Sequence, residues 1–265
     1  MNTHYLNPAG RLFEFLNYVW LASDQLDAKS VWGLYLDVIP EQEPAKFFRA
    51  IGGVLALPDE VRTSVAGVQD GPFSRERLLR ALPAAEAALS IAPQLPSYSV
   101  AQMKLHYDKG TLADLETCSE LLSHGRQGGR DIEFAGMENS LAGIRSLADE
   151  IKVEATESGL PSDVATLLWR NADAIVRAVD MYRILGTESV IREFDAFVGS
   201  LVTKPVAGDA ARNTPALWDK VQKLSKEIIL MEAAFAVPGQ LMITAGNFWT
   251  AIQPGVSAVV SALAS

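Results

Sequence analysis

The chain has 265 residues, 49% of them hydrophobic and 21% charged, a composition too apolar for extended disorder and sufficient for one large core or two smaller ones. Its 23 Lys and Arg against 32 Asp and Glu give a net charge of −9 with no basic run, so nucleic acid and a polybasic mode of membrane attachment are not expected. The single cysteine, Cys118, excludes an intrachain disulfide and a cysteine-based zinc site and fits a reducing, cytoplasmic setting.

The first residues, Met1 to Pro8, lack a basic segment leading into a compact apolar stretch, so no export signal is expected. Asn7-Pro8 reads as a cap followed by proline at the first helical position, and Leu12, Phe15, Leu16 and Val19 then recur at three- and four-residue steps. This predicts an amphipathic helix. The aromatics around it (Phe13, Phe15, Tyr18, Trp20, Trp32 and Tyr35) fall at helical spacing and are read as core rather than as a binding groove.

Prolines crowd the next stretch, from Pro40 to Pro96, and each tends to open a helix or stop one. Short helices are expected at 44–57, at 58–66 with Asp59 and Glu60 in the first turn, and at 74–90 with a break at Pro83. The stretch 81–96 is the expected boundary, giving an N-terminal helical subdomain at 1–96 and a C-terminal bundle at 97–265, or one continuous domain.

Longer helices are expected downstream. Thr111 can cap a helix that places Leu112, Leu115, Cys118 and Leu122 on one face and closes at Gly125. A helix over about 132–158 turns Leu141, Ile144, Leu147 and Ile151 inward and ends at Gly159-Leu-Pro161, giving an antiparallel pair. Val164, Leu168, Ala172, Ile175, Val179 and Tyr182 form the cleanest helical period, ending at Gly186, with a restart at Thr187 running to Val202. After a linker over 204–213, Thr214-Pro215 opens a helix with Leu217, Val221, Leu224, Ile228 and Met231 on one face.

From Ala233 to Ser265 there is no charged side chain. Phe235, Leu241, Met242, Ile243, Phe248, Trp249 and Ile252 lead its apolar content, and such surface must be covered by the chain's own core, by a protein partner or by a bilayer. Pro238-Gly239 and Pro254-Gly255 cut the stretch into pieces shorter than the ~20 apolar residues of a spanning helix. A constitutive membrane anchor is therefore not expected, and membrane insertion enters only as a conditional event.

The segment Leu160-Pro-Ser-Asp-Val-Ala-Thr-Leu-Leu-Trp169, followed by Ile175-Val-Arg-Ala-Val-Asp-Met-Tyr-Arg-Ile-Leu-Gly186, resembles uncharacterised bacterial all-helical proteins. Asn7-Pro-Ala-Gly-Arg-Leu12 and Ser30-Val-Trp32 resemble their N-termini. The resemblance spans about half of the chain, rests on capped helices, a buried tyrosine and a closing glycine, and brings no activity with it. What it implies is a component of a bacterial immunity or stress gene set.

Side chains that could carry chemistry are few. His4, His106 and His124 are the only histidines. Glu120 and His124 share a helix face at i,i+4, which is dipole chemistry at a helix end or two metal ligands without a third. Glu116 with Glu120, and Glu150 with Glu154, suit solvated ion-pair faces, because no Asp or Glu is followed by His three residues later as a di-iron bundle requires. Cys118 lies on an apolar stripe, where a nucleophile is not expected. The glycines at Gly52-Gly53 and at 125–129 match neither a phosphate loop nor a dinucleotide fingerprint.

The expectation is an all-α multi-helix bundle of about ten helices, without metal or cofactor, acting as a non-enzymatic interaction or regulatory component with a protein partner or a second copy. The alternatives are a membrane-active effector that uses 233–265, and an enzyme whose site lies around His106, His124 or Cys118.

Overall fold

The computed structural model describes residues 7–68, 73–126, 134–203 and 213–235. Among them are twelve α-helices, nine of seven residues or more, one 3-10 helix and no strand. The fold is all-α. The chain divides into two compact units, residues 1–125 with 183–186, and residues 126–182 with 187–265.

In the first unit α1 (Pro8–Leu21) begins where Asn7 caps it, the side chain accepting from the Gly10 amide at 2.9 Å. Leu12, Phe15, Leu16 and Val19 are fully buried, and α1 packs chiefly on α3 (Pro44–Ala66). Against α1, α2 (Ala28–Tyr35) buries Trp32 fully, with its ring edge-on to Phe15 at 4.8 Å and its indole N–H donating to Met103 Sδ at 3.4 Å. A left-handed Asp37 (φ 51°) ends α2, with the Val38 amide donating to the Gly33 carbonyl at 3.0 Å and the Asp37 amide to the Leu34 carbonyl, the paired pattern of a helix C-terminal turn. Gly33 is required there, since a Cβ would lie 2.8 Å from the Val38 carbonyl oxygen and 2.9 Å from the Pro40 ring.

The expected break at Pro58 does not occur. The helix α3 runs through it for 23 residues. Proline removes one backbone bond, but Val54, Leu57, Val61 and Val65 on both sides of it are all buried at 1% exposure or less, and burial of that continuous stripe outweighs the lost bond. By contrast, 74–90 does divide, into α4 (Arg75–Leu78) and α5 (Leu82–Leu89), with Pro83 in the first turn of the second piece.

The 3-10 helix Ala92–Ser97 and α6 (Val100–Lys104) follow. The stretch 81–96 lies inside the first unit, whose division from the second comes after Gly125 rather than after residue 96. The reason is local: Ala28 N–H donates to the Tyr98 carbonyl at 2.8 Å, Val100 N–H donates to the Leu26 carbonyl at 2.9 Å, and Tyr107 donates its buried hydroxyl to the Leu16 carbonyl at 2.9 Å. The residues directly after the proline-rich passage are thus bonded to α1, to α2 and to the loop between them. Next comes α7 (Lys109–Arg126), which starts at Asp108 rather than Thr111. Asp108 Oδ1 accepts the Thr111 amide at 2.8 Å and the Thr111 hydroxyl at 2.9 Å.

The second unit holds α8 (Phe134–Glu157), α9 (Ser162–Asp180), α11 (Thr187–Thr203) and α12 (Pro215–Phe235); the four-residue α10 (Tyr182–Leu185) lies between α9 and α11 in sequence, and its residues 183–185 belong to the first unit. Helix α8 packs on α9 and α12, and α11 packs on α9 and α12, closing a four-helix ring. The facing stripes are Leu141, Ile144, Ala148 and Ile151 from α8, Val164, Leu168, Ala172 and Ile175 from α9, Val190, Phe194, Phe197 and Leu201 from α11, and Leu217, Val221, Leu224, Ile228 and Met231 from α12, all buried. Lys152 to Asp173 at 3.0 Å, Arg145 to Asp180 at 2.7 Å and Lys220 to Glu154 at 2.8 Å tie neighbouring helices at the rim.

Candidate interaction surface

Helix α3 is apolar on two sides. One side, carrying Phe47, Ala50, Ile51, Val54, Leu57, Pro58, Val61 and Val65, is buried in the first unit. On the opposite side Ala45, Phe48, Gly52, Leu55 and Ala56 are exposed, Phe48 at 69% and Leu55 at 42%. Ala45, Phe48, Gly52 and Leu55 follow alternating three- and four-residue steps, the spacing with which one helix presents a seam to another. At its centre the two adjacent glycines differ. A Cβ on Gly53 would meet Leu185 Cδ2 at 2.8 Å, whereas a Cβ on Gly52 would meet nothing within 4 Å. Gly52 is thus an open notch between two exposed apolar side chains.

A second feature of the first unit is a polar seam joining α1, α3 and α7. Asn7 Nδ2, almost fully buried, donates to the Ser119 carbonyl at 3.0 Å, Ser119 Oγ at 3.1 Å and Ser123 Oγ at 2.9 Å. One turn on, the buried Arg11 guanidinium pairs with Glu60 of α3 at 2.8 Å. Farther along α1, burial holds the Glu14 carboxyl above its ordinary value, and the negative charge of Glu116 on α7 raises it further. The geometry fastens three helices. It brings no nucleophile to a cleft.

The raised Glu14 has a measurable consequence. A folded-state pKa above the unfolded value of 4.5 means that the native state binds the proton more tightly, so this group favours folding below that pH and loses the contribution as pH rises through the folded value. Glu14→Gln is therefore expected to stabilise the protein at pH 7 relative to the parent, with the difference disappearing at pH 4. Urea titrations at the two pH values check this; an equal difference at both would show that the Glu14 charge is not the cause.

The residues singled out for chemistry in the sequence are scattered. Cys118 is fully buried, and burial pushes its thiol up to about 11, the reverse of an activated nucleophile. His106 is exposed just after α6. His4 and the side chain of His124 lie outside the described residues, and with the latter the Glu120 and His124 pairing. Of the carboxylate pairs, Glu116 faces Glu14 across to α1 and Glu154 is engaged by Lys220. Among the described residues no group of three or more His, Cys, Asp and Glu is placed to hold a metal ion, and no helix is long and apolar enough to cross a membrane. Asp219, Gln222, Lys223, Lys226, Ile229 and Leu230 line a shallow groove of about 380 Å³ along α12.

Of the C-terminal candidates, Phe235 is the last residue of α12, while its side chain and the residues Leu241, Met242, Ile243, Phe248, Trp249 and Ile252 lie outside the described residues. The outward face of α3 is not among the sequence-derived candidates, although Ala45, Phe48, Gly52 and Leu55 carry its spacing within the helix expected at 44–57. Comparison with protein-family models, with curated proteins and with solved structures found no match to the chain, so the resemblance to bacterial helical proteins rests on the residues quoted for it.

Proposed function

We propose that this protein acts by binding other proteins through exposed helix faces, as an interaction or regulatory component. The observation that supports this most directly is the outward row on α3. Single exposed apolar residues are ordinary on any surface, but an aligned row opposite a fully buried face is the pattern of a helix that serves two interfaces. The charge-free stretch from Ala233 to Ser265 adds a second apolar surface by composition, and the resemblance to bacterial helical proteins fits a component of an immunity or stress system.

The test recovers the tagged full-length chain from its native host beside Phe48→Glu and a chain ending at Phe235. Phe48→Glu is expected to lose a protein that the parent retains, with an unchanged far-ultraviolet circular dichroism spectrum, because the Phe48 side chain is mostly solvated already. Identical recovery from the parent and both variants would refute the interaction reading. Loss only from the shortened chain would move the contact to the C-terminal segment, and flotation of the parent with liposomes, abolished by the same shortening, would replace partner binding with a membrane-active effector.

A further inference from the structure

We infer that the occupant of the outward face of α3 is a second copy of this chain, paired antiparallel with the first and crossing it at Gly52; this rests on the interaction reading above and names its partner. The row has the spacing of a helix-on-helix seam, so the surface that fits it is another helix with an equivalent row. The face supplies one itself. In a pair related by a two-fold axis the same patch serves both copies and must be complementary to itself.

The sequence around Gly52 meets that condition in one direction only. Phe48 lies four residues before Gly52 and Leu55 three after, at similar angles around the helix, so in an antiparallel pair each Phe48 comes against the partner's Leu55, apolar against apolar. Arg49 and Leu55 stand three residues to either side, so each Arg49 comes level with the partner's Leu55 and one turn from the partner's Asp59. Arg49 is exposed and makes no ion pair among the described residues, while Asp59 is exposed and held only by Arg62 on its own helix at 2.8 Å. The pair thus gains two Arg-to-Asp attractions. A parallel pair would set Arg49 against Arg49 and Asp59 against Asp59. The open notch at Gly52, with nothing within 4 Å of a Cβ there, lies on the two-fold axis, where close approach of the two backbones is needed.

Sedimentation equilibrium of the full-length chain, with oxidative cross-linking of single-cysteine additions, tests the inference. The expected mass is twice 28.6 kDa. Gly52→Cys should form an interchain disulfide on mild oxidation, whereas Ala45→Cys should not, because antiparallel pairing separates the two copies of residue 45 by roughly 20 Å along the helix, far beyond disulfide reach. The native Cys118 is buried and gives the background. Arg49→Glu should raise the dimer dissociation constant about tenfold, and the double change Arg49→Glu with Asp59→Arg should restore it. A monomer at all concentrations, a dimer that persists in Phe48→Glu, or cross-linking through residue 45 as efficient as through residue 52 would each overturn the second-copy inference. The interaction reading would survive a monomeric parent if Phe48→Glu still lost a different co-purifying protein, so the two failures are separable.

Discussion

Trp32→Ala is expected to destabilise the first unit by about 3 to 5 kcal/mol, the usual range for deleting a large buried aromatic. Trp32 is the largest of the fully buried side chains among the described residues and stands where α1, α2 and α6 converge. Its ring meets Phe15 edge-on at 4.8 Å, and its N–H donates to Met103 Sδ at 3.4 Å. Alanine at this position leaves a void lined by Phe15 and Met103, both fully buried, which the surrounding helices can close only by moving. Trp32→Phe keeps a ring beside Phe15 and loses the sulfur contact and part of the volume, so its expected cost is smaller, about 1 to 2 kcal/mol. Native-state hydrogen exchange of the α1 and α3 amides separates this unit from the rest of the chain. Exchange free energies in Trp32→Ala within 1 kcal/mol of the parent would show that the indole is not central to this core.

How far the sequence led depended on whether one local signal was opposed by another. In the second unit little opposes the period: Val164, Leu168, Ala172 and Ile175 on α9, and Leu217, Val221, Leu224 and Ile228 on α12, read inward from spacing and are buried, while Leu147 and Tyr182, also read inward, are half-buried. Gly186 (φ 73°) and Gly159 (φ 69°) fall at the punctuation their positions suggested. In the first unit the prolines mislead. Pro58 reads as a stop because a lost backbone bond is visible in sequence, whereas the compensating burial of Val54, Leu57, Val61 and Val65 depends on α1 and α5, which spacing on α3 cannot reveal. The passage through Pro93 and Pro96 reads as a boundary for the same reason, although Tyr98 directly after it accepts the Ala28 amide of α2.

Helix starts were legible to within a turn. Asn7 is the cap its sequence predicts, whereas Thr111, which the sequence offers as a cap because threonine before an apolar run is a common start signal, is in the fold the residue that the Asp108 side chain caps. The surface on α3 shows the opposite failure. Ala45, Phe48, Gly52 and Leu55 all fall inside the helix expected at 44–57, but which apolar face of that helix turns outward is set by its packing on α1 and α5, which spacing alone does not reveal. The bonds of Asn7 to α7 could not be read from sequence at all, since Ser119 and Ser123 are ordinary helix residues until tertiary structure brings them to Asn7.

That last contact gives the second large effect. Asn7→Ala is expected to cost about 3 kcal/mol, roughly 1 from the lost cap and the remainder from the buried bonds to α7. The two contributions can be separated because they use different atoms. Oδ1 accepts the Gly10 amide at 2.9 Å, while Nδ2 serves Ser119 and Ser123 at 2.9 to 3.1 Å. Asn7→Ser keeps an oxygen suited to capping but is too short to reach α7, so its loss should be about 2 kcal/mol. Asn7→Asp keeps both the length and the cap, yet places an acceptor where a donor faced the Ser119 carbonyl, and it too should destabilise at pH 7 although aspartate ranks with asparagine as a cap. If urea denaturation found Asn7→Asp as stable as the parent and Asn7→Ala lower by only about 1 kcal/mol, the bonds to α7 would contribute nothing, and the polar seam would reduce to Arg11 and Glu60. A loss in all three variants, with Asn7→Ala lowest, would show that Asn7 both starts α1 and anchors it against α7.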